Sequence, residues 1–130
     1  MTSTIRIVPE LSVRRGQAAI EFYREAFGAK VDYLVGGTPN NPDVVAQLSV
    51  GEATFWVSDE SRPNANFSPE SLGGGSVRIL LIVDDPDGVV KQAVSAGASE
   101  VYPVGEEHGW RLGLIVDPFG HHWEIGRPNP

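Results

Sequence analysis

Between residues 5 and 13 the side chains alternate. Ile5, Ile7, Pro9, Leu11 and Val13 share one face, and Arg6, Val8, Glu10 and Ser12 share the other. A period of two over this length predicts a half-buried strand. From Gly16 the period lengthens. Ala19, Phe22, Tyr23, Ala26 and Phe27 recur at helical spacing, with Glu21, Arg24 and Glu25 on the opposite side. This predicts an amphipathic helix over Gly16–Phe27, ended by Gly28 in a left-handed conformation. Three strands are predicted next, over 30–35, 44–50 and 53–58. The turn-forming residues of 36–41 predict a loop, and Val50-Gly51-Glu52-Ala53 a tight hairpin.

The second half repeats the pattern. Residues 60–75, rich in Ser, Pro, Asn and Gly, read as a linker. A strand is predicted over 77–84. Asp85-Pro86 then marks a helix start, with the Asp as N-cap and the Pro at the first helical position. Val89, Val90, Ala93 and Val94 form the apolar stripe, and Gly97 is the stop. At an offset of 69, Gly28-Ala29 matches Gly97-Ala98, Tyr33 matches Tyr102, and Val35 matches Val104. Two more strands, over 111–117 and 121–126, are joined by the turn Asp117-Pro118-Phe119-Gly120. Each half therefore reads βαβββ. Module one spans about 5–59, the linker about 60–76 and module two about 77–127, within a single domain over 1–130. One helix covers one face of each sheet. The other face must be buried elsewhere or bind something.

Composition removes whole classes of chemistry. The 130 residues contain no cysteine, which excludes disulfides, Cys-ligated zinc and thiol catalysis. Ten basic against seventeen acidic residues give a net charge of −7 with no basic stripe, which argues against nucleic acid as a partner. No apolar run approaches the roughly 18–20 residues of a membrane helix, and no signal peptide is readable, so no membrane partner and a cytoplasmic location are expected. Gly73-Gly74-Gly75 follows a Pro/Ser segment and not a strand, so it is no phosphate loop. No serine sits in a nucleophile elbow.

Two segments carry a family likeness: Ala18-Ala19-Ile20-Glu21-Phe22-Tyr23-Arg24-Glu25-Ala26-Phe27-Gly28-Ala29 and Val116-Asp117-Pro118-Phe119-Gly120-His121-His122-Trp123-Glu124-Ile125. With the βαβββ repeat, they resemble the vicinal oxygen chelate superfamily, which includes glyoxalase I, bleomycin resistance proteins and extradiol dioxygenases. The resemblance implies an α+β fold in which two βαβββ modules form a curved mixed sheet around a cavity. It also implies a homodimer and a small-molecule ligand. Metal-dependent members carry a His on the first strand, a Glu on the fourth, a His on the fifth and a Glu on the eighth. Glu124 matches the last of these. The first falls on Val8 or Glu10, the fourth near Trp56, and the fifth on Arg78 or Leu80.

Alternation then sorts side chains toward the cavity. Glu10, Trp56, Arg78, His122 and Glu124 are expected to point into one shared space, with His121 outward. Arg78 and Glu124 are expected to form an ion pair there. Trp110, in a polar loop over 106–111, joins Glu10, Trp56, Arg78, His122 and Glu124 as a ligand-binding candidate, because aromatic faces stack on planar or cationic ligands. Two functions stay open. One is a metal-free protein that binds a small molecule, sequestering a drug or metabolite. The other is a metal-dependent lyase, isomerase or dioxygenase with Glu124 as the best catalytic candidate. In that case a divalent ion is expected at Glu124 with Glu10 or His122. No cofactor is expected in the first case.

Overall fold

The computed structural model describes residues 4–130. Module one comprises β1 (Glu10–Val13), α1 (Gly16–Phe27), β2 (Lys30–Thr38), β3 (Asn41–Val50) and β4 (Ala53–Asp59). Module two comprises β5 (Arg78–Ile82), α3 (Pro86–Ala96), β6 (Ser99–Glu107), β7 (Trp110–Val116) and β8 (His122–Pro128). Each module builds a four-stranded mixed sheet, ordered β1-β4-β3-β2 and β5-β8-β7-β6. The first strand of each runs parallel to the last, and the remaining pairs are antiparallel. This is the α+β architecture of two βαβββ modules that the repeat predicts.

The helices lie together between the sheets. The stripe of α1 (Ala19, Phe22, Tyr23, Ala26) is buried, as are Val90 and Ala93 of α3. Leu11, Val13, Phe55 and Val57 from the first sheet, and Trp123 and Ile125 from the second, complete one core. Gly28 and Gly97 close the two helices at equivalent places, with φ of +67° and +125°. Their N–H groups return to carbonyls of the last turn. At the start of α3, the Asp85 side chain accepts from Gly88 N at 3.2 Å, as its N-cap position predicts.

Four local expectations are corrected. The first strand begins at Glu10 and not at residue 5, because Pro9 has no N–H to continue the ladder. Ile5 and Ile7, expected on the helix face, are 89% and 95% exposed. The loop predicted over 36–41 is mostly strand. A register shift between Gly36 and Thr38 absorbs the glycines as a bulge, and only Pro39-Asn40 turn the chain. The segment 60–76 carries structure, with a 3-10 turn (Arg62–Asn64) and a short helix α2 (Pro69–Leu72). Buried Ser68 caps α2, and Glu60 accepts from Ser68 N at 2.9 Å and from Ser71 Oγ at 2.8 Å. These donors hold the Glu60 carboxyl below its ordinary range. Finally, 106–111 is no loop. β6 and β7 run into a two-residue turn at His108-Gly109, which supplies the positive φ that a tight hairpin needs.

Candidate functional site: two open sheet faces

Register places the site residues. In module one, Glu10 pairs with Trp56, Trp56 with Gln47, and Gln47 with Tyr33. Cross-strand neighbours in register share a face, so Glu10, Trp56, Gln47 and Tyr33 form one row across the sheet, on the side away from α1. Module two carries the corresponding row, Leu80, Glu124, Leu114 and Tyr102. Each strand contributes its equivalent position. The pseudo-symmetry therefore sets Glu10 against Leu80, Trp56 against Glu124, and Tyr33 against Tyr102.

Glu10 and Trp56 of the first row floor a hollow of about 560 Å3, walled by the segment that follows β4. Glu10 is its only charged lining residue, and Trp56 and Phe67 supply aromatic surface. The Tyr33 and Trp56 rings meet edge to face at 5.8 Å between centroids. Asn66 is pinned at the end of the row. Its Nδ2 donates to Ser58 Oγ at 3.2 Å and to the Asp59 carbonyl at 3.5 Å, while its Oδ1 accepts from the Ser12 hydroxyl.

The second row lies beside a smaller hollow of about 320 Å3, lined by Arg78, Leu80, Tyr102, Trp110 and Glu124 together with the hairpin tip. Arg78 and Glu124 thus share this hollow, but the expected ion pair is not among those formed by the described residues. Arg78 pairs in register with His122, and Leu80 with Glu124, so the two charges sit diagonally. Arg78 Nη1 instead reaches the Tyr102 hydroxyl at 3.5 Å.

The six candidates are therefore distributed. Glu10 and Trp56 come together in module one, and Arg78, Trp110 and Glu124 in module two, while Glu10 and Arg78 also share a hollow between β1 and β5. His122 is half-buried beside Arg78 and lines neither hollow. The helices pack between the sheets, and the two rows adjoin at the β1 and β5 edges, where Glu10 and Leu80 line this third hollow of about 500 Å3. His121 is not turned to solvent. Its Nε2–H donates to the Ser12 carbonyl at 2.9 Å, joining the modules. Tyr33, Gln47, Asn66 and Phe67 escaped the sequence reading. The repeat matched Tyr33 to Tyr102, a sign of two equivalent places on two sheets, but it was read as symmetry alone.

Asp117 explains part of the family-like closing motif. It is 3% exposed and forms no ion pair among the described residues. Four donors satisfy it: Trp123 Nε1 at 2.9 Å, the backbone N–H groups of Phe119 and His121 at 2.9 and 3.0 Å, and the Tyr23 hydroxyl. A buried carboxylate needs this many partners. Burial, and then the neighbouring Asp117, push the Tyr23 phenol well above its ordinary pKa. Tyr23 belongs to α1 and Asp117 to the β7–β8 turn, so the motif joins the modules and contributes no group to either open face.

The glyoxalase-like domain family matches residues 8–126. An uncharacterized protein of Mycobacterium bovis is 36% identical over 124 residues, spanning 92% of this chain and 81% of the relative. Among solved structures, a gene product of Arabidopsis thaliana aligns with a TM-score of 0.70 at 27% identity, covering 96% of this chain and 98% of that one. FosX of Listeria monocytogenes, a fosfomycin resistance protein complexed with Mn(II) and sulfate, aligns with a TM-score of 0.71 over 99% of this chain and 95% of its own. At 13% identity that last likeness is one of fold. The chain belongs to the glyoxalase-like domain family, within the vicinal oxygen chelate superfamily.

Proposed function

We propose that this protein is a metal-independent small-molecule-binding member of its family, one that sequesters an organic drug or metabolite on its open sheet faces. The observation that carries the reading is the pair of matched rows. The register matches Glu10, Trp56, Leu80 and Glu124 across the two sheets, and the resemblance puts the four ligands of metal-dependent relatives at these positions or one pleat away, at Val8 for the first strand and Arg78 for the fifth. A divalent transition metal needs three or four N, O or S donors. These positions offer two carboxylates, an indole and an isobutyl group, and the carboxylates line different hollows. Among the described residues no three His, Asp or Glu side chains gather into a metal-binding group. Even if a second copy brought the two faces together, the donor set would not fit. What remains is a mixed surface: in the first hollow Trp56, Phe67 and Leu72 lie among Glu10, two serines and two asparagines, a lining that can hold an organic molecule and orient it.

The same reading has the protein act as a homodimer in the cytoplasm. Its support is the apolar surface that one chain leaves uncovered, including Ile5, Ile7, Leu80 and Ile82. No helix among the described residues is long and apolar enough to cross a membrane. Sedimentation at micromolar concentration is expected to give twice the chain mass, and a 14.0 kDa species would refute the dimer. The functional reading is tested by a thermal-shift screen of small organic molecules on chelator-treated protein. Stabilising ligands that bind equally with and without chelator are expected. Ligands that bind, or reactions that run, only after a divalent metal is restored would overturn it.

A further inference from the structure

We propose that the open face of module one selects flat organic cations, with Trp56 as the stacking platform and Glu10 as the counter-charge. This rests on the small-molecule-binding reading above and adds the ligand class and the module that takes it. The argument begins with charge. Glu10 is the only charged residue lining the hollow, and no ion pair holds it among the described residues. Arg6 donates to Thr54 Oγ1 at 3.0 Å, Arg62 lies over the Phe67 ring at 5.8 Å, and Arg78, which shares the adjoining hollow with Glu10 but does not line this one, donates to the Tyr102 hydroxyl at 3.5 Å.

The polar floor argues against an anion. An anion needs free N–H or O–H donors aimed into the hollow. Asn66 spends its amide on Ser58, the Asp59 carbonyl and the Ser12 hydroxyl, so the Asn66 and Ser12 donors of this floor are already engaged. Trp56 and Phe67 add aromatic surface to this lining. An indole face is negative and attracts a cation, and a flat one also gains stacking area. Tyr33 meets the Trp56 ring edge to face and fixes its orientation. The volume of about 560 Å3 lies within the range of drug-sized sites. Module two offers no such selection, because its hollow mixes Arg78 and His108 with Glu107 and Glu124.

The test uses the full chain at low salt with three probes: proflavine, a flat cation; fluorescein, a flat anion; and tetraethylammonium, a cation without a flat face. Fluorescence polarisation and calorimetry read the affinities. Proflavine is expected to bind at least about tenfold more tightly than either of the others. Trp56→Ala should weaken it roughly tenfold, while Trp56→Phe retains most of the affinity. Glu10→Gln should weaken it about fivefold and reduce the preference over fluorescein. Trp110→Ala and Glu124→Gln should leave it within about twofold. Thermal melts of each variant confirm folding. Fluorescein binding more tightly than proflavine, or a loss with Trp110→Ala in place of Trp56→Ala, would overturn the cation assignment while leaving small-molecule binding intact. If none of the three binds, the inference fails, and the chelator screen alone judges the broader reading.

Discussion

The two modules share a fold and differ in what they show to solvent. Both bury one face of their helix, although Val94 of the α3 stripe stays 40% exposed, and both end the helix at a glycine. Yet the row Glu10, Trp56, Gln47, Tyr33 lies on the side of one sheet away from its helix, and Leu80, Glu124, Leu114, Tyr102 on that of the other, where Leu114 is itself covered. Only the tyrosines at the β2 and β6 positions agree. The carboxylate moves from β1 in the first row to β8 in the second, and the indole has no counterpart. The side that packs on a helix is held to the repeat by close packing. The open side is free of that constraint, and there each module carries its own chemistry. Fold and function are thus separable along single strands, at alternate residues.

The largest way to break this pairing is through the residue that joins the halves. Asp117→Ala strands the Tyr23 hydroxyl, the Trp123 indole N–H and two backbone amides. Each buried unsatisfied donor costs about 1–3 kcal/mol, not additively, so a loss of about 4 kcal/mol is expected in urea unfolding. A loss below about 1 kcal/mol would show that the modules hold together without it.

Next in size is an alkaline effect on the same contact. The Tyr23 pKa is raised in the fold. The stability from its neutral phenol is therefore fully present below the unfolded value of about 10, and is lost as pH rises from there toward the folded value. The slope should approach about 1.4 kcal/mol per pH unit, and Tyr23→Phe should flatten it. Urea midpoints between pH 8 and 11 measure both.

The equivalent glycines allow a sharper comparison. Gly28 lies in the left-handed helical region, which Asn tolerates, and an added Cβ meets nothing within 4 Å. Gly97, at φ +125°, lies outside that region. Gly28→Asn is expected to cost about 0.5 kcal/mol, and Gly97→Asn about 1–2 kcal/mol. Equal costs would mean that the two caps are interchangeable.

The smallest effect belongs to module two alone. Arg111 forks onto Asp87 at 2.7 and 2.8 Å and reaches Glu106 at 3.3 Å. Its guanidinium holds Asp87 low, and Asn129, followed by Arg111, does the same for Glu106. Stability from such depressed carboxylates is present above their ordinary range near pH 4, and is lost as pH falls through the folded values. Carboxyl titration by NMR should show Asp87 rising clearly, and Glu106 slightly, in Arg111→Gln, with Glu60 unmoved.

The modules' plan was legible because helix and strand periods, glycine stops and the Asp85-Pro86 cap are local signals. Strand ends were less so. Pro9 cut the first strand at its ladder, which alternation ignores, and the glycines of β2 formed a bulge where turn chemistry pointed to a loop. The facing of Glu10, Trp56 and Glu124 followed from alternation within each strand. Their separation into two hollows did not, because it depends on how α1 and α3 pack between the sheets. The four-residue rows needed register across strands, which no single strand encodes. The Arg78–Glu124 pair failed for the same reason.

The central claim is that these open faces bind an organic molecule without a metal. Calorimetric titration of Mn2+, Ni2+ and Zn2+ into chelator-treated protein tests it most directly. No stoichiometric binding tighter than about 100 μM is expected, because Trp56, and Leu80 or Arg78, stand where the resemblance puts donors. Stoichiometric binding at micromolar or better affinity, abolished by Glu124→Ala, would contradict it.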